Sequence, residues 1–310
     1  MDHSNTNNPN QTKGSVVTIG TFDGVHIGHQ KILEQLLHVA NQRHLEPKVL
    51  TFFPHPRMVI QPDFKIELLT TIEEKRDILS DLGINAFVIK PFTKEFANLS
   101  AEAYVKTVLV DELNAKHIII GYDHRFGKNR SADINDLRNF GQQYGFSVDE
   151  IPAQDIKDIA VSSTKIRQAL SQGELSLANS YLGYHYFING IIIKGKGLGK
   201  TIDFPTANIY VDKTYKLIPK QGVYAVQSII DSKRVFGMMN IGTNPTVDGS
   251  KESIEVHFFN FDQDIYGKTL KVEFLHRLRD EKKFESVEAL KEQLGRDKAN
   301  ALSLIEKSFS

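Results

Sequence analysis

Near Tyr184 the sequence changes its grammar, and that change constrains the fold more than any other feature. Before it, apolar runs alternate with helical patterns. Val16-Val17-Thr18-Ile19 reads as a buried strand, Ile32, Leu33, Leu36, Leu37 and Ala40 recur at helical spacing, and Lys48–Phe53 is a second strand. The alternation continues with a helix over 72–82, a strand over 86–90, a helix over 101–113, the strand His117–Ile120, a helix over 134–144 and a strand over 146–151. Strands separated by helices predict a parallel, doubly wound sheet with ligands at the carboxyl ends of its strands. After Tyr184 the strands are short and alternating, at 187–194, 222–229, 235–240, 254–259 and 270–276, with Gly, Pro, Asn and Asp between them. Such spacing predicts a small antiparallel β-barrel. A closing helix carries Val287, Leu290, Leu294 and Ala299 on its apolar side. The boundary falls within 172–184, giving a domain over 15–183 and another over 184–310; residues 1–14, rich in Asn, Ser and Thr, read as a disordered tail.

Composition narrows the function classes. A chain of 310 residues can build two real cores. Lys+Arg and Asp+Glu balance at 38 each, so no basic field argues for a nucleic-acid partner. The absence of cysteine excludes disulfides, thiolate catalysis and cysteine-ligated metal. No apolar run reaches the length of a membrane span, and the N-terminus lacks a signal peptide's apolar region. The expectation is a soluble cytoplasmic protein acting on small molecules, without nucleic-acid or membrane partners. Whether it forms a homo-oligomer stays open.

Three segments of the first half fall at the expected ligand edge. Gly20-Thr21-Phe22-Asp23-Gly24-Val25-His26-Ile27-Gly28-His29 sits on a strand-to-helix turn, where unpaired N–H groups and the helix dipole favour phosphate. Gly24 and Gly28 lack a Cβ and permit close approach, while His26 and His29 share one face of the first helical turn. Two histidines at this spacing also suit a surface or a partial metal site. The whole string is the H-x-G-H arrangement of nucleotidylyltransferases, which hold ATP for attack at its α-phosphate. Pro54-His55-Pro56 leaves the second strand through prolines expected to forbid a helix. Gly121-Tyr122-Asp123-His124-Arg125-Phe126-Gly127 leaves a later strand with polar groups between glycines. Farther on, Ser162-Ser163-Thr164-Lys165-Ile166-Arg167 opens a helix with hydroxyl residues that suit a cap, and Ser163, Thr164 and Arg167 could also contact a triphosphate.

The second half has its own phosphate signals. Gly195-Lys196-Gly197-Leu198-Gly199-Lys200-Thr201 nearly spells a P-loop, but Lys194 stands where the first glycine is required and the context is β-rich. A glycine-rich flap or a plain hairpin loop remains. In Phe204-Pro205-Thr206-Ala207-Asn208, Thr206 and Asn208 face the same way in an extended strand, and their oxygens suit Mg²⁺ with a nucleotide phosphate. Asn240-Ile241-Gly242 begins a polar turn, and Glu255 faces away from Ile254 and Val256. Glu255 could take a proton from a substrate hydroxyl or could be a solvated surface group.

These motifs, in this order from about Ser15 to the end, resemble the prokaryotic bifunctional FAD synthetases, which join an FMN adenylyltransferase module to a riboflavin kinase module. Leu278-Arg279-Asp280-Glu281 adds to the likeness. The resemblance implies that riboflavin and ATP give FMN in the C-terminal module, and that FMN and ATP give FAD and pyrophosphate in the N-terminal one, both with Mg²⁺. It implies that His26 and His29 stabilise the transferring phosphoryl group, with Gly20, Phe22, Asp23, Gly24, Gly28, Asp123, Ser163, Thr164 and Arg167 around ATP and Pro54, His55 and Pro56 around FMN. In the kinase it implies Glu255 as base, Thr206 and Asn208 on Mg²⁺, and Gly195, Gly197, Gly199, Lys200, Pro205, Asn240 and Arg279 around ATP and flavin. Four positions depart from the family pattern: Asp203 replaces a glycine, Lys200 an arginine, His124 a phenylalanine and Tyr184 an arginine. An Asp203 carboxylate 4 Å from a phosphate charge would cost about 4 kcal/mol at an effective dielectric near 20, and about 1 in water. A paralogue with one activity, or a flavin-binding regulator on the same scaffold, are the alternatives.

Overall fold

The computed structural model describes residues 13–61, 63, 65–151, 161–195, 199, 202–246 and 249–309. The tail expected over 1–14 lies outside them except for Lys13 and Gly14, as do Gly197 and Lys200 of the glycine-rich segment. The chain forms two compact units: residues up to Ile66 with Ile72–Val161, and Glu67–Thr71 with residues from Ser162 onward.

The first unit runs β1 (Ser15–Ile19), α1 (Ile27–Arg43), β2 (Glu46–Phe53), α2 (Pro56–Ile60), α3 (Ile72–Asp81), β3 (Ala86–Pro91), α4 (Lys94–Ala97), α5 (Ala101–Tyr104), β4 (Ala115–Gly121), α6 (Ile134–Tyr144) and β5 (Ser147–Ile151). Its strands are parallel, in the order β3-β2-β1-β4-β5. The doubly wound reading holds at the level of side chains, because alternate residues of the central strands enter two different cores. Val17, Leu50, Ile118 and Ile120 pack with Val105, Leu109 and Leu137, whereas Val16, Val49 and Ile119 pack with Leu33, Leu36 and Leu79. The helix expected over 101–113 is one α-helical turn followed by a π-helical stretch, Val105–Glu112, which still buries Val105, Val108 and Leu109.

One expectation fails here. The prolines after β2 do not forbid a helix, because α2 starts at Pro56. At the first helical position the missing N–H is one of the unpaired donors anyway, and the fixed φ suits the helix. His55 caps it, its Nδ1 accepting from the Arg57 N–H at 3.2 Å.

The second unit contains α7 (Ser163–Gln172), α8 (Leu175–Leu182), β6 (Phe187–Ile193), β7 (Ala207–Tyr210), β8 (Gly222–Ile230), β9 (Lys233–Thr246), β10 (Gly249–Phe258), β11 (Thr269–Arg279) and α9 (Val287–Phe309). The strands close into an antiparallel barrel in the order β10-β7-β6-β11-β8-β9. The buried side of α9 is set by Asp297, Ala301 and Ile305, with Leu290 and Leu294 partly covered. Val287 and Ala299, expected on that side, are exposed, because the stripe follows 290-294-297-301-305 and includes a charged residue that hydropathy ignores.

Helices α7 and α8 belong to this unit and not to the first. The Lys220 N–H donates to Leu170 O at 3.0 Å, and the Asn179 amide donates to Phe274 O at 3.0 Å while its oxygen accepts from the Tyr186 N–H at 2.8 Å. Gly173, between the helices, has φ 84°, and a Cβ there would lie 2.8 Å from Arg277 Nε. The short segment Glu67–Thr71 also joins this unit. The Leu68 N–H donates to Tyr215 O, the Leu217 N–H donates to Leu68 O, and the buried Lys216 ammonium donates to Leu69 O at 2.7 Å.

Candidate functional sites

In the parallel sheet the winding reverses between β1 and β4, and a doubly wound sheet binds ligands at such a switch point. The Gly20–His29 segment leaves β1, and the Gly121–Gly127 segment leaves β4, so both flank it. The first is a tight, buried turn. Phe22, Asp23 and Val25 are each at most 2% exposed, and Phe22 (φ 46°), Gly24 (φ 79°) and Val25 (φ 35°) all adopt left-handed backbone. For a β-branched residue such as Val25 that conformation costs about 1–3 kcal/mol and must be held by its surroundings. The Gln30 amide holds Val25 O at 2.9 Å, and the Thr21 carbonyl accepts from Thr51 Oγ1 at 3.3 Å and from Lys75 Nζ at 2.6 Å.

The two histidines form one stacked unit. His26 is the N-cap of α1, its Nδ1 accepting from the His29 N–H at 3.3 Å. The rings lie 3.7 Å apart between centroids, inclined by 16°, and the Phe22 ring closes on His29 at 5.1 Å. Burial, then the neighbouring His26 and Lys75, push the His29 pKa well below its usual value. The imidazole is therefore neutral near pH 7 in the free protein and acts as a hydrogen-bonding group. His29 Nδ1 is buried without a hydrogen-bond partner among the described residues.

In the second segment Asp123 is exposed. Burial pushes the His124 pKa down to about 4, against the pull of Asp123, and the neutral ring stacks with Phe126 at 6.0 Å. This histidine therefore does a phenylalanine's packing. Phe126 continues a row through Tyr104, Phe96 and Phe52, with successive centroids 5.9, 5.9 and 5.6 Å apart. Sequence reasoning missed this aromatic row, because its members come from four separate segments. It also missed Lys75. Ser162 caps α7 by accepting from the Lys165 N–H, Ser163 and Thr164 fill the first turn, and Arg167 Nε donates to Glu67 O at 2.8 Å within the second unit.

The barrel assembles a row of polar side chains that no local pattern reveals. Asn208 on β7 pairs with Glu255 on β10, and Glu255 pairs with Asn240 on β9. Directly paired residues project on the same face, so an amide, a carboxylate and an amide stand side by side. Thr206 joins them, its Oγ1 donating to Glu255 Oε2 at 3.1 Å. The neighbours Ile241, Ile254 and Val256 are buried on the opposite face. His257 anchors the segment before β7, its Nδ1 2.8 Å from Pro205 O and its ring edge-on to Phe204 at 5.3 Å. Burial lowers its pKa against that hydrogen bond, so the neutral ring donates from Nδ1.

Gly195 lies directly over Asn208, and a Cβ there would stand 2.0 Å from Asn208 Nδ2. Gly195→Ala should therefore displace that amide and lower any reaction that uses this row by about 10²-fold, as expected of a misplacement near 1 Å. A reaction carried by the first unit should hold, and separate rate assays check it. Gly199 is similarly crowded by Phe204 O.

Arg279, expected near a flavin, is held by an acidic partner. Its guanidinium makes a two-pronged pair with the buried carboxylate of Asp297 on α9, at 2.7–3.0 Å, and donates to Asp280 O. It ties the end of β11 to α9. Asp203 also resolves. Its φ is 65°, in the left-handed region that favours glycine, and its carboxylate is 80% exposed and paired with Lys291 at 2.6 Å. Surface pairs of this kind contribute about 0–1 kcal/mol. Asp203→Gly should thus leave the activity of the barrel unit within about threefold of wild type and the melting temperature unchanged or slightly higher, which thermal melts and initial rates can check.

A family model for FAD synthetase matches residues 8–165, and one for riboflavin kinase matches residues 182–305. Proteins described as bifunctional riboflavin kinase/FMN adenylyltransferase are similar along nearly the whole chain. Those of Listeria monocytogenes, Escherichia coli K12 and Bacillus subtilis are 38%, 37% and 36% identical, over 94%, 93% and 93% of this chain and 93%, 92% and 92% of theirs. A crystal structure described as a macrolide-efflux protein from Streptococcus pneumoniae shares the fold, with a TM-score of 0.82 and 32% identity over 93% of each chain. Among the described residues here, no helix is long and apolar enough to cross a membrane. With both family models matched in chain order and relatives this similar from end to end, the chain belongs to the bifunctional riboflavin kinase/FMN adenylyltransferase family.

Proposed function

We propose that the two reactions of this bifunctional enzyme run at separate sites: adenylyl transfer from ATP to FMN in the parallel-sheet unit, and phosphorylation of riboflavin by ATP in the barrel unit. The observation that carries the proposal is that each unit holds its own set of convergent groups, the stacked His26–His29 pair at the switch point and the Thr206–Asn208–Glu255–Asn240 row on the barrel. Helices α7 and α8 go with the kinase unit.

At the first site the turn N–H groups and the positive end of α1 receive the triphosphate, and His26 and His29 donate to oxygens that gain charge in the transition state. FMN lies toward Pro54, His55 and Pro56, where the partly exposed Phe52 and Phe96, at the outer end of the aromatic row, suit a flat ring system. At the second site Glu255 takes the proton from the attacking ribityl hydroxyl. Thr206, already hydrogen-bonded to Glu255, fixes the carboxylate's orientation, and Asn240 extends the polar row toward the substrate.

The donor set fits Mg²⁺. It consists of a hydroxyl and an amide oxygen, both hard oxygen ligands, and Mg²⁺ completes its shell with waters and substrate phosphates. Thr206 and Asn208 would hold the ion, which when bound neutralises charge on the transferring phosphate. Because both reactions consume ATP, we place the enzyme in the cytoplasm.

Incubation of the purified protein with riboflavin, ATP and Mg²⁺, followed by chromatographic separation of FMN and FAD, tests the whole scheme. Both products should appear. FAD from supplied FMN without FMN from riboflavin would instead indicate an adenylyltransferase alone, and bound but unchanged flavin a regulator.

A further inference from the structure

The helix α3 bears a lysine in an unusual setting. Lys75 is 4% exposed, and its ammonium reaches across to Thr21 O at 2.6 Å, at the entry to the strained turn before His26. The turn also buries a carboxylate, Asp23, at 1% exposure, whose charge interacts with Lys75. A buried, uncompensated anion at a phosphate-receiving turn would repel the substrate. A buried cation would be costly unless it answers such a charge.

We propose that Lys75 is a positioning residue of adenylyl transfer: it pins the Thr21 carbonyl so that the turn presents His26 and His29, and it balances Asp23 so that the turn accepts a triphosphate. The inference rests on the reading of the histidine turn as the adenylyltransferase site. Three features beyond the proximity support it. The Thr21 carbonyl accepts from two side chains, Lys75 and Thr51, which come from different elements and converge on one oxygen. Phe22 and Val25, in left-handed backbone, require such restraint. Lys75 also acts on His29, its charge being one of the causes that hold that imidazole neutral.

The titratable groups around it are Asp23 in the turn and His26 and His29 at the start of α1; Glu74, also buried, precedes it on α3, and β2 contributes the Thr51 hydroxyl. Burial lowers the Lys75 pKa from its usual value to about 8, with Asp23 resisting the fall. Between about pH 8 and the ordinary lysine range, the unfolded chain holds this proton and the folded one does not. On this account folding stability rises with pH in that window. The proposal requires affinity for ATP to move the other way, since deprotonation removes the positive charge that acts on Asp23.

The experiment follows FAD formation from FMN across pH 6.5 to 9.5 (about the span that brackets the lysine) in wild type, Lys75→Arg, Lys75→Met and His29→Ala. Melting temperatures are recorded in parallel. In wild type, KM for ATP should rise about tenfold or more above pH 8, the scale of one unit charge acting over several Å. Lys75→Arg should keep low KM values to higher pH. Lys75→Met should show the high KM at every pH, lose about 10²-fold in kcat/KM near pH 7, and melt at a lower temperature than wild type, because it removes one partner of a buried charge pair. A wild-type profile flat through pH 8, an arginine variant with the wild-type alkaline limb, or a folded methionine variant with unchanged KM would each overturn the proposal. The wild-type profile decides even if both substitutions prevent folding. If His29→Ala is inactive while the Lys75 variants behave as wild type, only the role of Lys75 fails; if His29→Ala is fully active, the placing of the site fails.

Discussion

Glu255→Gln should lower the rate of FMN formation from riboflavin by about 10²–10⁴-fold, the usual cost of losing a positioned general base. The substitution keeps the side chain's length, and the amide oxygen can still accept from Thr206 Oγ1, now 3.1 Å from the carboxylate. The row from Asn208 through position 255 to Asn240 is set by strand register and stays in place. What disappears is the ability to take a proton. Riboflavin should still bind, and FAD formation from supplied FMN should continue, because that reaction does not use this carboxylate. Initial rates at saturating ATP and Mg²⁺ measure the effect. A variant within about threefold of wild type, far below a base effect, would mean that Glu255 is a solvated strand residue.

His29→Ala should lower FAD formation from FMN by about 10²–10³-fold, as removal of one transition-state donor does, while leaving riboflavin phosphorylation nearly unchanged. The ring lost is stacked on His26 at 3.7 Å and covered by Phe22, so some local loosening accompanies the lost donor. Kinase activity in the same chain serves as the internal control. Because burial and the neighbouring His26 and Lys75 hold the His29 pKa well below its usual value, its protonation should not contribute any change in wild-type rate between about pH 7 and 8. Equal loss of both activities would show that the two sites are coupled or that the variant is misfolded.

Much of the fold and of the candidate sites is legible in the sequence, for identifiable reasons. The parallel sheet shows because buried strands such as Val16–Ile19 and Ile118–Ile120 are short apolar runs bounded by helical patterns, a signal carried by neighbouring residues. The histidine turn shows because its chemistry is contiguous. What the sequence does not show depends on pairing across distance. Nothing near Asn240 announces that register sets it beside Glu255, and Lys75, in a run of charged residues, looks like a solvated helix face until α3 is docked. His257 reads as one more polar strand residue, although its ring holds the Pro205 carbonyl. The proline after β2 misled because its position within the helix, not its presence, decides its effect.

The segment Glu67–Thr71 has a consequence for how such a chain can change by descent. Its residues lie between two stretches of the first unit, yet their backbone joins the second, and Leu69 O receives the ammonium of the buried Lys216. No single cut in the gene therefore separates two intact products. Any cut near Ser162 leaves the C-terminal piece without the carbonyl that answers Lys216, and leaves the N-terminal piece bearing a strip with nothing to pair. Fission would have to rebuild that contact before it could be tolerated, whereas one substitution at Glu255 or His29 would silence a single chemistry and leave the scaffold whole.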